Sequence, residues 1–175
     1  PWIEPLQTGL ANLSPRELSS AVGPYAPHLA RLLPDLRERL PLPDGPPPET
    51  RGDRRWLFDG VVRVLVHLGQ RSPVLLLLDD LQWGASLALL QHVAQHLQHC
   101  RVLIVAGYRD DELTERPHLA QALPALPRAG WHHQLRLPPL SAAATQALLA
   151  AYLGPGLAQQ LATEVYAKTS GNPFF

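Results

Sequence analysis

The strongest constraint on the fold is a short apolar run, Val74 to Leu78, that follows Pro73 and ends at two aspartates. Its length and its sharp boundaries are typical of a strand that is buried on both faces, as in the parallel sheets of α/β proteins. A second run, Val102 to Gly107, predicts another buried strand, and Gln134 to Leu137 predicts a third. The sequence therefore predicts a sheet with at least three strands.

Helical patterns alternate with these runs. Ser14-Pro15-Arg16-Glu17 is a good helix start, because serine can cap, proline is tolerated early and the glutamate can reach back. Pro34 should kink or end a helical pattern that spans residues 29–40. Further helices are predicted over residues 54–70, 86–98, 141–153 and 157–169, with a proline-rich linker over residues 41–53. Strands alternating with helices indicate an α/β fold with a mostly parallel sheet.

Composition excludes several classes of protein. With 175 residues, the chain has room for one domain, or for one domain with a piece of another. Its formal net charge is zero, so it lacks the basic charge typical of nucleic-acid-binding proteins. A single cysteine, Cys100, excludes an internal disulfide, and no apolar run approaches the roughly 20 residues of a membrane span. We expect a cytoplasmic protein without direct contacts to nucleic acid or membrane. The absence of methionine and the apolar ends at Pro1 and Phe175 suggest a segment of a longer chain.

Charged side chains follow the first two predicted strands. Asp79 and Asp80 end the first strand, and Arg109 follows the second. Ligands of open parallel sheets bind outside the carboxyl ends of the strands, so two acids and an arginine there suit a phosphate–magnesium site. The alternative is structural, because aspartates after a strand often begin a turn or cap the next helix.

Three motifs together resemble one family. LLLLDDLQW, residues 75–83, resembles the Walker B segment of the signal-transduction ATPases with numerous domains (STAND), a branch of the AAA-like P-loop NTPases. VLIVAGYRDDEL, residues 102–113, resembles their sensor-1 strand, and SGNPFF, residues 170–175, resembles the Gly-x-Pro motif of their helical lid. Bacterial members include LuxR-type transcription regulators and cyclase- or kinase-linked regulators.

The resemblance implies a role for each matching residue. Asp79 would bind Mg²⁺, Asp80 would polarise the hydrolytic water, Arg109 would sense the γ-phosphate, and Pro173 would lie against adenine. It also implies three regions: a helical segment with the linker over 1–53, an ATPase core over 54–140 and the start of the lid over 141–175. Gly84 and Ala85 stand where the family usually has an alanine and an acid after the tryptophan, so any role of that acid is lost.

One required motif is missing. The phosphate-binding loop needs G-x-x-x-x-G-K-[ST], and the only lysine, Lys168, lacks the preceding glycines. In the family this loop and the first strand precede the segment resembling Pro1, and that strand lies inside the sheet. We therefore expect the 175-residue chain alone to bind ATP weakly and to be poorly stable, because strand edges lose their partners.

Two other interpretations remain open. His92, His96 and His99, with Cys100 adjacent, have a spacing that could bind a metal, but they lie opposite the apolar stripe of their helix. A solvated helix face is the simpler explanation. The chain as a whole is predicted to be an ATP-dependent switch that interacts with ATP or ADP, with other domains of its parent chain and with copies of itself. The alternative is a non-catalytic interaction scaffold that retained the fold.

Overall fold

A computed structural model describes residues 1–43, 52–81, 86–97, 99–109 and 133–174. The chain divides into two compact units, Pro1–His132 and His133–Phe175. The described elements of the first unit are α1 (Ile3–Ala11), α2 (Pro15–Val22), a 3-10 turn (Gly23–Tyr25), α3 (Ala26–Leu32), α4 (Leu36–Arg39), α5 (Asp53–Arg71), β1 (Val74–Leu78), α6 (Ser86–His96) and β2 (Val102–Ala106). Those of the second are α7 (Ala142–Leu153) and α8 (Pro155–Thr169).

Local sequence signals determine where several helices begin and end. The N-cap Ser14 hydroxyl accepts the Glu17 N–H, and the Glu17 carboxylate accepts the Ser14 N–H at 2.8 Å, which completes the predicted capping box of α2. The helical pattern around Pro34 ends as predicted, because α3 stops at Leu32 and a separate short helix, α4, follows. α5 begins at Asp53, one residue before the predicted start, while residues 44–51 of the predicted linker lie outside the described residues.

Arginines from other elements satisfy the carbonyl groups at helix C-termini. Arg39 donates hydrogen bonds to the carbonyl oxygens of Leu10, Ala11 and Leu13, at the end of α1. Arg101 donates in the same way to two carbonyls in the last turn of α5. Carbonyl groups at a helix C-terminus lack the N–H partner that a longer helix would supply, and a forked guanidinium can bind several of them at once, which a lysine would do less completely.

One hydrophobic core joins the helices of the first unit to one face of the sheet. Its central helix is α5, whose Val61, Val64 and Leu65 are buried. The largest fully buried side chains of the described residues are Leu6, Leu10, Leu18, Leu29, Leu33, Leu65, Leu78, Val22, Val61 and Val64. Most of them are aliphatic side chains of helices, so helix packing stabilises this unit more than the sheet does.

β1 and β2 form a parallel pair. Val74 lies opposite Val102, and Leu78 lies opposite Ala106. The described residues thus have a helix-rich α/β arrangement with a two-stranded parallel sheet, which is compatible with the predicted fold class. None of the helices within the described ranges is long and apolar enough to cross a membrane.

The prediction that both strands are buried on both faces is wrong. Leu76 and Leu78 pack into the helical core, but Leu75 and Leu77 on the opposite face are 60% and 62% exposed. On β2, Leu103 and Val105 are also exposed. The physical reason is that the described helices cover a single face of the sheet, so alternate residues of each strand remain in contact with water.

The second unit is a helical hairpin, and the predicted strand over Gln134 to Leu137 is absent from it. Residues 133–141 have no strand conformation, and the sheet of the described residues consists of β1 and β2. The two predicted helices are confirmed as α7 and α8, and the Ser141 hydroxyl caps α7 by accepting the Ala144 N–H. Leu140 N–H donates to Gly171 O at 2.8 Å, which joins the start of the unit to its end.

Candidate functional site

The two strands end at the same edge of the sheet. Beyond the last ladder pair, the Gly107 N–H donates to Leu78 O at 2.8 Å, and the Leu81 N–H donates to Gly107 O at 3.0 Å. The first bond belongs to the parallel ladder, whereas the second departs from its register by one residue, because the Leu81 N–H and not the Asp80 N–H donates to Gly107 O. Asp79 lies beside Gly107. Asp80 follows Asp79 on the segment that leaves β1, and Arg109 lies two residues after Gly107 on the segment that leaves β2. The structure therefore brings the predicted acidic pair and the predicted arginine to one edge.

The two aspartates are held in a specific backbone conformation. Asp79 Oδ1 accepts the backbone N–H of Asp80 at 2.9 Å, and Asp80 has a φ of 56°. Left-handed φ values are uncommon for residues other than glycine, and aspartate adopts them more often than most because its short polar side chain can hydrogen-bond locally. Such outliers cluster at functional sites, where the surrounding structure maintains them. Both side chains are exposed.

Gly107 is a part of this edge that the sequence analysis did not single out. A Cβ placed on Gly107 would lie 2.9 Å from Asp79 Oδ1. The carboxylate therefore occupies space that only a glycine leaves open. The signal that could have revealed it is positional: a glycine ends one apolar run, and the parallel register sets it against the first acid after the other run.

The side chains of Asp79 and Asp80 supply carboxylate oxygens at this edge. Mg²⁺ prefers oxygen ligands and is usually bound through one or two carboxylates with several waters retained, which Asp79 and Asp80 could provide. Within the described ranges, no group of three or more histidine, cysteine or acidic side chains is placed to hold a metal ion. A dedicated protein cage, as for Zn²⁺ or Ca²⁺, is therefore not formed by these residues.

The SGNPFF motif has a clear structural role in the second unit. Ser170 and Gly171 end α8 with φ values of 51° and 79°. A Cβ on Gly171 would lie 2.0 Å from Leu140 O, so this position requires glycine. The Asn172 side chain accepts the Phe174 N–H at 3.0 Å. Pro173 is exposed and lies within the same turn.

One histidine of α6, His92, differs from its predicted arrangement. His92 does not lie on a solvated face, because its Nε2 is 2.7 Å from Asp59 Oδ1 of α5 and its ring stacks on His96 at 4.3 Å. His96 Nδ1 in turn donates to the His92 carbonyl at 2.6 Å. These contacts join α6 to α5 and use ring nitrogens of both histidines, so the cluster has a packing role. His96 and His99 are exposed, as predicted.

Residues 82–85, with Trp83 and the Gly84-Ala85 pair, lie outside the described residues, as do Asp110 and Asp111. The geometry of the edge is therefore defined by residues 79–81 and 107–109.

Comparisons with known proteins found no match: no protein-family model matches the chain, and neither a curated protein nor a solved structure matches it.

Proposed function

We propose that the chain is part of an ATP-binding and ATP-hydrolysing switch domain of the STAND type in a bacterial signalling or transcription regulator. The observation that supports the proposal most directly is the register of the sheet edge. It sets Asp79 beside Gly107 and places Asp80 and Arg109 on the segments that leave two adjacent parallel strands. Ligand sites of α/β sheets lie at this edge, outside the carboxyl ends of the strands.

Each residue has a chemical task in the proposed site. Asp79 would hold Mg²⁺ through its free carboxylate oxygen or through retained water, and the ion would neutralise charge on the phosphates. The Asp80 carboxylate would orient and polarise the attacking water, and the Arg109 guanidinium would stabilise charge on the γ-phosphate. Pro173 would contact the adenine base from the helical lid, so that the lid responds to the bound nucleotide.

The uncovered side of the sheet supports a larger parent fold. Parallel sheets in α/β proteins have helices on both faces, whereas Leu75, Leu77, Leu103 and Val105 are half or more exposed here. A sheet completed by further polypeptide would cover them. The proposal therefore includes contacts with other domains of a cytoplasmic parent chain, and it requires a phosphate-binding loop that residues 1–175 do not contain.

The same exposed face favours a second candidate, a non-catalytic interaction scaffold. Apolar side chains in a contiguous two-by-two array on adjacent strands are typical of a protein-binding surface. A scaffold needs no phosphate-binding loop. The two candidates differ in one sequence feature, a G-x-x-x-x-G-K-[ST] motif in the reading frame before Pro1, which the switch requires and the scaffold does not.

Nucleotide turnover tests the proposal. In a polypeptide extended upstream to include that loop, Asp80→Asn should retain ATP binding and reduce hydrolysis by at least a hundredfold, because the water loses its carboxylate. Asp35→Asn, at an exposed aspartate before α4, is the matched control and should hydrolyse ATP normally. Unchanged turnover in Asp80→Asn would remove the assignment of Asp80. A reading frame without the loop would favour the scaffold.

A further inference from the structure

We propose that Gly107 is a positioning residue of this edge, because it lets the Asp79 carboxylate take the orientation that maintains the conformation of Asp80. The inference rests on the proposed function, since it assigns Gly107 a role in cation binding by Asp79. Gly107 itself touches neither cation nor nucleotide in this proposal. It acts through Asp79.

The first step is steric. A methyl group on Gly107 would lie 2.9 Å from Asp79 Oδ1 and 3.9 Å from Asp79 Cγ, so its clash is with one carboxylate oxygen. Non-bonded carbon atoms approach to about 3.5–4.0 Å, and a carbon–oxygen distance of 2.9 Å is well inside the repulsive range. The Asp79 side chain is short and exposed, so it can turn away at low cost. Gly107 does not have a left-handed φ, so alanine fits its backbone conformation.

The second step follows from the hydrogen bond of the displaced oxygen. Asp79 Oδ1 is the atom that accepts the Asp80 N–H at 2.9 Å. If that oxygen turns away, the bond is lost, and with it a local interaction that offsets the φ of 56° at Asp80. A single methyl group on Gly107, the residue after β2, would therefore change the direction of the carboxylates of Asp79 and Asp80. The sheet hydrogen bonds of Gly107, to Leu78 O and from the Leu81 N–H, involve its backbone and would remain.

Mn²⁺ is a suitable probe for the test, because it accepts the oxygen ligands of Mg²⁺ and broadens nearby NMR signals. In the 175-residue chain, Mn²⁺ should broaden the amide signals of residues 79–81 and 107–109. Gly107→Ala should weaken this binding by about tenfold or more, as expected for loss of a group that orients a metal ligand. Gly156→Ala is the matched control, since a Cβ there has nothing within 4 Å.

A double-mutant cycle separates positioning from a general structural effect. The three-bond HN–Hα coupling and the chemical shifts of Asp80 report its φ without any metal. Gly107→Ala should remove the left-handed values, while Asp79→Ala with Gly107→Ala should match Asp79→Ala alone, because no oxygen remains to clash. The midpoint of urea unfolding should remain nearly the same in Gly107→Ala and in the wild type.

The outcomes distinguish this inference from the proposed function. Mn²⁺ binding at Asp79 in the wild type with unchanged affinity and Asp80 conformation in Gly107→Ala would overturn the role of Gly107 alone. Absence of broadening around Asp79 in the wild type at millimolar Mn²⁺ would instead overturn the proposed cation site, together with the role that depends on it. An additive effect of the two substitutions in the cycle would show that Gly107 acts on Asp80 by another route and would also overturn the inference.

Discussion

The two units of the chain bury opposite kinds of side chain. The first unit has a core of large aliphatic residues, such as Leu29 and Leu65, which are at most 1% exposed. In the second unit, the buried side chains are small, namely those of Thr145, Ala158 and Ala162. Its large apolar side chains face outwards, and Tyr152 is 81% exposed. Small residues allow α7 and α8 to approach closely, but they bury little apolar surface and so contribute little stability.

This difference separates the part of the protein that buries its large apolar side chains from the surfaces that leave them exposed. The helical side of the first unit has its own core, whereas the hairpin and the outer sheet face present large apolar side chains without a described covering. Exposed apolar arrays of this kind occur at contacts with other polypeptide, among other kinds of site. The proposed switch needs such contacts, because a nucleotide-dependent change must be transmitted to other parts of the parent protein.

Substitutions of two adjacent residues of β1 test most directly whether one face of the sheet is buried and the other exposed. Leu76→Ala should lower the free energy of unfolding by about 2–5 kcal/mol, because a buried leucine in the core leaves a cavity. Leu77→Ala, one residue later on the exposed face, should cost less than about 1 kcal/mol. Urea unfolding followed by tryptophan fluorescence measures both. Equal losses would mean that the outer face is covered in solution.

Alanine substitutions at two glycines compare how tightly the two units are packed. A Cβ on Gly60 of α5 would lie 2.9 Å from Tyr25 Cβ and 3.0 Å from Leu29 Cγ, so Gly60→Ala should destabilise by about 1–3 kcal/mol through overpacking. Gly156→Ala in α8 meets nothing within 4 Å and should stabilise by up to about 1 kcal/mol, since alanine restricts the unfolded chain.

Amide hydrogen exchange resolves the two units separately and can measure both effects. Gly60→Ala should accelerate exchange in α3 and α5, and Gly156→Ala should slow it in α8. If Gly60→Ala left the exchange of α3 unchanged, the close approach of α3 and α5 at this glycine would not contribute to stability.

Much of the helical structure could be predicted from the sequence, because its signals are local. Ser14 and Glu17 form the predicted capping box, and Pro34 ends a helix as expected. The exposure of Leu75 and Leu77 could not be predicted, because a run of leucines does not indicate how many faces of a strand are covered. The role of Arg39 could not be predicted either, because it binds carbonyl groups at the end of α1 that lie 26 to 29 residues away in the sequence.

In the candidate site, too, some features could be predicted from the sequence and others could not. That Asp79 and Arg109 follow neighbouring parallel strands could be inferred from the strand-end rule. The left-handed φ of Asp80 and the close approach of its neighbour to Gly107 could not, because both depend on the register of one strand against the other. His92 was misplaced for a related reason: helical periodicity gives the apolar stripe, but Asp59 on another helix determines which polar side chain is covered.

The smallest expected effect concerns a surface contact between α2 and α5 in the first unit. The side-chain hydrogen bond from Arg71, followed by bonds from the Ser14 N–H and hydroxyl, lowers the pKa of Glu17 from 4.5 to about 2. Because the pKa is lower in the folded state, these contacts stabilise the fold above the unfolded pKa, and their contribution is lost as the pH falls from about 4.5 towards 2.

Glu17→Gln should remove this part of the pH dependence and should be less stable than the wild type at pH 6, with the two converging near pH 2. Both Glu17 and Arg71 are more than a third exposed, so solvent screening keeps the difference small. Glu4→Gln, at an exposed glutamate in the first turn of α1, is the matched control. Urea unfolding at a series of pH values measures the difference, and parallel curves for Glu17→Gln and the wild type between pH 2 and pH 5 would show that the contact with Arg71 does not form in solution.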